Sequence, residues 1–399
     1  MGIYQKCASF TKVDEVKEKG IYPYFHHLES RQDVEVIMEG KRRIMLGSNN
    51  YLGLTTHPEV MKAAIKAIEK YGTGCSGSRF LNGTLDMHLQ LEEELAEFVG
   101  KEAACTFPSG FQTNLGIISA IVGRHDYIIS DRENHASIYD GCRLSFGKTV
   151  RYKHDDMEDL EQCLAKLPLD AGKIIITDGV FSMSGDICNL PKIVELARKY
   201  NAVTMVDDAH GFGVLGNGGR GTAEHFGLTE ETDIIMSTFS KSLASLGGFV
   251  ASDKYVIEYI KHNSRPFIFS ASIPPASCAA ALAALRVIKK NPELVSRLSD
   301  LALYMRNGLK ERGIPVRESV YTTPIIPFYT YDFETTLIRA KEIYDAGVYL
   351  NPVLPPAAPD GNCLLRISLM ATHTYELLDE AMDIIHSVIN KSVKNGCDC

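Results

Sequence analysis

The sequence predicts an α/β protein. Its main body is a largely parallel seven-stranded sheet with helices on both faces, and a smaller α+β unit follows. Three observations lead to this. From about residue 46 to 285, short apolar runs alternate with stretches of helical period, as in a doubly wound sheet. Several of those runs are apolar at consecutive positions, which suits strands covered on both faces. Beyond about residue 286 the strands become short and proline-flanked between longer helices, so the architecture changes there.

Residues 1–45 read as an arm. Val13 to Lys19 has the charge pattern of a short helix, and Val34–Met38 and Arg43–Leu46 flank Glu39-Gly40-Lys41 as a hairpin. Residues 46–285 form the large α/β domain. Its predicted strands are Ala103–Phe107, Tyr127–Ser130, Thr149–Tyr152, Lys173–Thr177, Val203–Val206, Ile234–Ser237 and Gly248–Ser252. Helical patterns such as Leu190 to Tyr200 fill most of the gaps. Residues 286–399 form the small domain. Its helices are predicted at Pro292–Arg312, Thr335–Ala346 and Thr374–Lys391, and its strands at Pro324–Tyr329, Val348–Pro352 and Cys363–Met370. No long linker, internal repeat or low-complexity tract interrupts the chain.

A chain of 399 residues with 45% hydrophobic and 23% charged content can bury a large core. The net charge of −8 argues against a general nucleic-acid binder, though not against a local basic pocket for an acidic ligand such as coenzyme A. The ten cysteines show no C-x-x-C pairing, no signal-peptide pattern opens the sequence, and no apolar run nears the ~20 residues of a membrane span. Reduced thiols in a cytoplasmic protein are the expectation, with a frayed tail carrying Cys397 and Cys399. Peripheral contact with an inner membrane is compatible with this composition, and no metal site is expected.

Chemistry concentrates at predicted strand ends. Lys241 follows the run Asp233–Met236 in Ser237-Thr238-Phe239-Ser240-Lys241-Ser242, and Asp207 and His210 follow Ala202–Val206. In an α/β sheet such ends gather at one ligand-binding crevice. Pyridoxal phosphate (PLP) needs this set: an amine for a Schiff base, a carboxylate for the pyridine nitrogen and a polar group for the ring hydroxyl. A lysine after a strand is ordinarily a surface charge. Here Ser and Thr hydroxyls bracket it and Leu246-Gly247-Gly248-Phe249 follows, a close-packed apolar context in which an amine can lose its proton. Asp208 reads as a structural hydrogen-bond acceptor.

Phe107-Pro108-Ser109-Gly110-Phe111 leads from strand to helix and leaves backbone N–H groups open, as in a phosphate seat or an ordinary βα turn. His135 follows another strand, where an imidazole stacks on a cofactor or simply fills structure. Strand alternation separates Arg366 from Leu365 and Ile367, which fits an arginine fork for a carboxylate and equally a solvated or salt-bridged arginine. Gly211-Phe212-Gly213-Val214-Leu215-Gly216 has the G-x-G-x-x-G spacing, but more glycines follow where a dinucleotide site needs a helix. It reads as a flexible glycine loop.

Five ordered motifs together resemble the α-oxoamine synthases, fold-type I PLP enzymes, over nearly the whole chain. They are Asn49-Asn50-Tyr51-Leu52-Gly53-Leu54, Gly72 to Arg79, Val206-Asp207-Asp208-Ala209-His210, Thr238 to Ser242, and Leu365-Arg366-Ile367-Ser368. Asn50 stands where the family motif carries aspartate. Within the family, the segments Thr238–Gly248 and Ser368–Thr374 are most similar to the soluble bacterial serine palmitoyltransferases.

The resemblance implies roles for these residues. Lys241 binds PLP covalently, Asp207 pairs the pyridine nitrogen, His210 meets the ring hydroxyl, and His135 stacks on the ring. Ser182 helps hold the ring, while Gly110, Phe111 and Thr238 hold the phosphate. Asn49 and Arg366 bind the amino-acid carboxylate. It also implies a homodimer with shared sites, in which Ser270 and Ser272 reach the neighbouring phosphate, although several relatives carry a hydroxyl residue where Ala271 stands. Lys241, His135 and Asp207 are the expected catalytic groups. The implied reaction is decarboxylative condensation of L-serine with a long-chain acyl-CoA. The alternatives are glycine C-acetyltransferase or 8-amino-7-oxononanoate synthase activity, or an aminotransferase on the same fold.

Overall fold

In the computed structural model the described residues are 2–355, 357–358 and 361–395, so Cys397 and Cys399 lie outside them. The strands in chain order are β1 (Glu35–Met38), β2 (Lys41–Met45), β3 (Ala103–Phe107), β4 (Tyr127–Asp131), β5 (Lys148–Tyr152), β6 (Lys173–Asp178), β7 (Val203–Asp207), β8 (Ile234–Thr238) and β9 (Gly248–Ser252). β10 (Ile325–Tyr331), β11 (Val348–Tyr349), β12 (Asn351–Val353) and β13 (Cys363–Ser368) complete them. The chain divides into two compact units. One comprises residues 49–299 with 320–323, and the other comprises 1–48, 300–319 and 324–399. By contacts, the N-terminal arm thus clusters with the C-terminal part of the chain.

The larger unit holds a seven-stranded sheet in the order β3-β9-β8-β7-β6-β4-β5. Its strands begin and end within a residue of the predicted ones, and only β9 runs against the rest. The reason is visible in β6, where all six residues are buried. Ile174, Ile175 and Ile176 fill both faces, and each fully buried isoleucine contributes roughly 1.5–3 kcal/mol. On one face Ile174 and Ile176 join Phe107, Ile117, Ile128, Met205, Met236 and Val250 in a single core. The helix Leu190–Tyr200 shows the local logic. Asn189 caps its start by accepting the Lys192 N–H at 3.3 Å, Pro191 fits the first turn, and Asn201 ends it in the left-handed conformation.

The glycine-rich stretch after β7 forms hydrogen-bonded turns instead of the expected flexible loop. Asp208 is buried and holds them. One oxygen accepts the Thr222 N–H at 2.9 Å and the other the Thr222 hydroxyl at 2.5 Å. Burial pushes the Asp208 carboxyl up to about 6, with those two hydrogen bonds opposing. Gly221 has φ +107°, and a Cβ there would lie 1.8 Å from the Asp208 carboxylate, so only glycine passes. No dinucleotide-type helix opens here, since the next helix, Thr222–His225, has four residues.

The smaller unit has two three-stranded sheets, β1-β2-β11 and β10-β13-β12. Arg366 lies on β13, the central strand of the second. All six β13 residues are buried, Arg366 at 4% exposure, which removes the reading of a solvated arginine. Every cysteine among the described residues is free.

A buried histidine gives the larger unit a pH signature. His88 Nδ1 accepts the Leu85 N–H at 3.0 Å, and Nε2 lies 3.0 Å from the Ile273 carbonyl, so the neutral ring carries its proton on Nε2. Burial, aided by the Arg79 cation, lowers its pKa from 6.5 to about 4. A base depressed on folding contributes stability that is present above its unfolded value and is lost as pH falls from 6.5 towards 4. At ~1.4 kcal/mol per unit the gap is worth about 3 kcal/mol. His88→Gln is expected to be less stable at neutral pH, yet its denaturant-derived stability should drop by about 3 kcal/mol less than wild type down to pH 4. Parallel profiles would exclude this role, because carboxyl contributions such as that of Asp208 cancel in the comparison.

Candidate active site

β4, β6, β7 and β8 run the same way, so their C-terminal ends share one edge of the sheet. β3 joins them, because β9 is antiparallel to both β8 and β3. The loops that leave these ends enclose a cavity of about 310 Å³, a size that takes a small ligand. Lys241, Asp207, His210, His135, Gly110, Phe111 and Thr238 all line it.

Asp207 is the buried last residue of β7. Its Oδ2 accepts from Asn114 Nδ2 at 2.7 Å and its Oδ1 from the Ala209 N–H at 3.0 Å. The strand register places Asp178, the last residue of β6, beside it. Burial first, and then the Asp207 charge, push the Asp178 carboxyl well above the ordinary carboxylate range. The cavity thus holds two adjacent carboxyl groups of unlike character. His210 is buried, with Nδ1 2.6 Å from the Tyr51 hydroxyl, and that hydroxyl lies 3.4 Å from Asn49 Oδ1. Asn49 therefore sits behind His210, joined to it through Tyr51.

Lys241 is half-buried in a turn that hydrogen bonds define. The Phe239 N–H donates to the Gly247 carbonyl at 2.8 Å, the Ser245 N–H to the Phe239 carbonyl at 2.9 Å, and the Ser242 hydroxyl to the Phe212 carbonyl at 2.8 Å. Gly247 adopts φ +142°, and a Cβ there would meet the Phe239 ring at 2.5 Å. The apolar packing expected around the lysine is only partial, for Leu246 is 56% exposed at the cavity. Backbone hydrogen bonds set the position of Lys241 where hydrocarbon burial was expected.

The helix Gly110–Ile121 points its N-terminus at the cavity. Ser109 caps it, accepting the Gln112 N–H at 3.2 Å. A Cβ on Gly110 would lie 2.7 Å from Thr238 Cβ and Oγ1, so glycine lets helix and strand end close together. The Thr238 hydroxyl donates to the Gly247 carbonyl at 3.1 Å and lies 2.9 Å from Ser240 Oγ. Amide groups at a helix start beside two hydroxyls form an anion seat. His135 caps a second helix, Ala136–Leu144, and faces the edge of the Phe111 ring. Desolvation by the surrounding protein lowers its pKa; Asp207 opposes this and Lys241 adds to it.

Not every expected residue reaches the cavity. Ser182 lies in the turn after Val180, and it is Val180 that lines the wall. The Ser272 hydroxyl donates to the Gly77 carbonyl at 3.1 Å, and Ser270 Oγ accepts from Gln112 Nε2 at 3.2 Å, so both are engaged within their own chain. Arg366 belongs to the other unit. Four further residues were not expected. Tyr51 supports His210, while Asn114, Ser137 and Asp178 line the cavity. Asp178 ends an apolar run just as Asp207 does, and that parallel is a signal the sequence carries.

This donor set fits PLP. An amine, a carboxylate, an imidazole and a helix N-terminus that opens on glycine converge on one cavity. A family model described as aminotransferase class I and II matches residues 41–385. The chain belongs to that family. Among its relatives it is 52% identical to a serine palmitoyltransferase of Sphingobacterium spiritivorum over 379 residues, covering 95% of this chain and 94% of the relative. An 8-amino-7-oxononanoate synthase of Thermoanaerobacter pseudethanolicus is 45% identical over 378 residues, covering 94% and 95%. Among solved structures, a serine palmitoyltransferase of S. paucimobilis with bound PLP–myriocin superposes with a TM-score of 0.95 at 35% identity, covering 98% of this chain and 99% of that one. An 8-amino-7-oxononanoate synthase of Francisella tularensis gives 0.74 at 27%, covering 88% and 99%. The α-oxoamine synthase resemblance therefore stands, and so does the PLP-enzyme fold.

The family's anion seat can be tested at its tightest point. Gly110→Ala pushes a methyl group into Thr238, and PLP affinity is expected to fall by at least ~10-fold with the far-ultraviolet circular dichroism unchanged. Wild-type affinity in a fluorescence titration would remove Gly110 from the seat.

Proposed function

We propose that this chain is a serine palmitoyltransferase, condensing L-serine with palmitoyl-CoA to 3-ketodihydrosphingosine with release of CoA and CO2. The observation that carries this reading is that Lys241, Asp207 and His210 line one cavity. They do so in a chain about half identical to serine palmitoyltransferases along nearly its whole length. PLP bound there supplies an electron sink for the substrate Cα.

The protein's own groups do the rest. Lys241 Nζ holds the cofactor between turnovers and then moves the proton at the serine Cα. The Asp207 carboxylate, fixed by Asn114 and Ala209, faces the heterocycle nitrogen and keeps its proton there. His210, steadied by Tyr51, meets the ring hydroxyl. Gly110, Phe111 and Thr238 take the phosphate at the helix N-terminus. His135 covers the ring. Asn49 and Arg366 grip the serine carboxylate, which selects the Cα bond that breaks. Ser182 has only a supporting place beside the ring in this reading.

The enzyme acts as a homodimer, with the Phe269–Ser272 segment meeting the neighbouring site. Ser270 is the better placed of the two serines, because the Ser272 hydroxyl is committed to Gly77. No helix among the described residues is long and apolar enough to cross a membrane. We place the enzyme in the cytoplasm, in peripheral contact with the inner membrane that receives its product. Co-sedimentation with anionic vesicles tests that placement, and recovery of all the protein in the supernatant would end it.

A second reading, 8-amino-7-oxononanoate synthase, has the 45% identity in its favour. Incubation with serine, glycine or alanine and a series of acyl-CoA thioesters separates the two. Serine with palmitoyl-CoA should release CoA fastest and give a product of the condensed mass. An aminotransferase would release no thiol. In the same assay Lys241→Ala is expected to lose turnover and the visible absorption band. Arg366→Ala should keep the band and raise the KM for serine at least ~10-fold. Turnover retained in Lys241→Ala would refute the assignment of that lysine.

A further inference from the structure

Beside Asp207 a short chain of hydrogen bonds runs on through Asn114 and Ser137 to His135. Asn114 is fully buried in the first turns of the helix Gly110–Ile121. Its Nδ2 donates to Asp207 Oδ2 at 2.7 Å and to Ser137 Oγ at 2.8 Å. Its Oδ1 is buried with no hydrogen-bond partner among the described residues. That orientation is forced, since the reverse would aim a carbonyl oxygen at a carboxylate oxygen and waste both N–H groups.

The next link follows from counting protons. Ser137 is also buried, and its Oγ accepts from Asn114, so its own hydroxyl proton must go elsewhere. His135 Nδ1 lies 2.7 Å away. The Ser137 backbone N–H points at the same nitrogen at 3.3 Å, because His135 is the N-cap of the helix Ala136–Leu144. Two donors and the positive end of a helix dipole therefore converge on Nδ1, which has to present its lone pair. The ring proton then belongs on Nε2, the nitrogen left to the cavity.

We propose that Asn114 and Ser137 are positioning residues that hold His135 as a neutral imidazole with its proton on Nε2, and that the carboxylate of Asp207 sets this arrangement through them. The order of control is plain. Asp207 demands an N–H from Asn114, Asn114 then spends its second N–H on Ser137, and Ser137 gives its hydroxyl proton to His135. His135 therefore offers the substrate a neutral N–H donor suited to a carboxylate or thioester carbonyl oxygen. It does not sit as a cation competing with Lys241 for Asp207. The charged and titratable groups facing it are Asp207 and Lys241 across the cavity and Asp178, whose Oδ1 accepts the His135 backbone N–H at 3.4 Å. The lowered imidazole pKa agrees with the two donors at Nδ1.

The use of His135 in turnover rests on the proposed function, but its protonation state does not. The experiment is long-range proton–nitrogen NMR of the holoenzyme labelled with 15N-histidine, with His135 assigned by the signals missing from His135→Gln. Wild type should show Nδ1 bare, Nε2 protonated and a ring that takes up its second proton only below the ordinary 6.5. In Ser137→Ala and Asn114→Ala the ring should titrate closer to the ordinary 6.5 than in wild type, and kcat/KM for the amino acid should fall ~10-fold near pH 6 but much less at pH 8.5. Ser137→Thr retains the hydroxyl and should restore the wild-type spectrum. A proton on Nδ1 in wild type overturns the proposal, as does wild-type titration in both alanine variants. If the spectra behave as expected while serine and palmitoyl-CoA are not condensed, the proposed activity fails and this inference stands.

Discussion

Everything at the catalytic edge depends on one buried carboxylate having somewhere to put its lone pairs. Asp207 ends β7 out of contact with bulk water, and a carboxylate so placed must find donors. The fold supplies two from different elements: the amide of Asn114, on the helix after β3, and the N–H of Ala209, in its own loop. That requirement ties the far edge of the sheet to its middle. Asp178, one strand over, accepts only the longer bond from the His135 N–H at 3.4 Å, and burial, followed by the Asp207 charge, raises its carboxyl well above the ordinary range. One strand end thereby carries a fixed acceptor and the next a carboxyl that burial makes a weaker acid.

Much of this was legible before any coordinates. The seven strands of the large unit announce themselves because they are buried on both faces, and a sequence such as Lys173–Asp178 has no other use for three consecutive isoleucines. Lys241, Asp207 and His210 are legible because each follows an apolar run, and strand ends of one direction must meet. The supporting residues were hidden for a physical reason. Asn114 and Ser137 lie inside helices, where an isolated polar residue looks like any solvent-facing position. Only the packing of two helices over one strand end brings them to Asp207. Leu246 and the glycine loop misled in the opposite sense. Composition suggests packing around the first and mobility in the second, whereas backbone geometry exposes Leu246 and Asp208 pins the loop.

Arg366 and Ser182 show where motif reasoning outruns local structure. The alternation on β13 separates the arginine from its apolar neighbours, yet both faces of that strand are covered. Burial at a central strand leaves that guanidinium 4% exposed, which the alternation alone could not foretell. Ser182 is a different case. It follows Val180 by two residues, and it is Val180 that lines the cavity.

The order of the strands has a temporal corollary. β3 leads into the serine and glycine that open the anion seat, but in this sheet it pairs only with β9, more than a hundred residues further on. During synthesis the amino-terminal half of the seat must wait, without a partner strand, until the later half has left the ribosome. Capture of the coenzyme is thus a late event in maturation, and a yellow polypeptide is one whose last sheet edge has already closed.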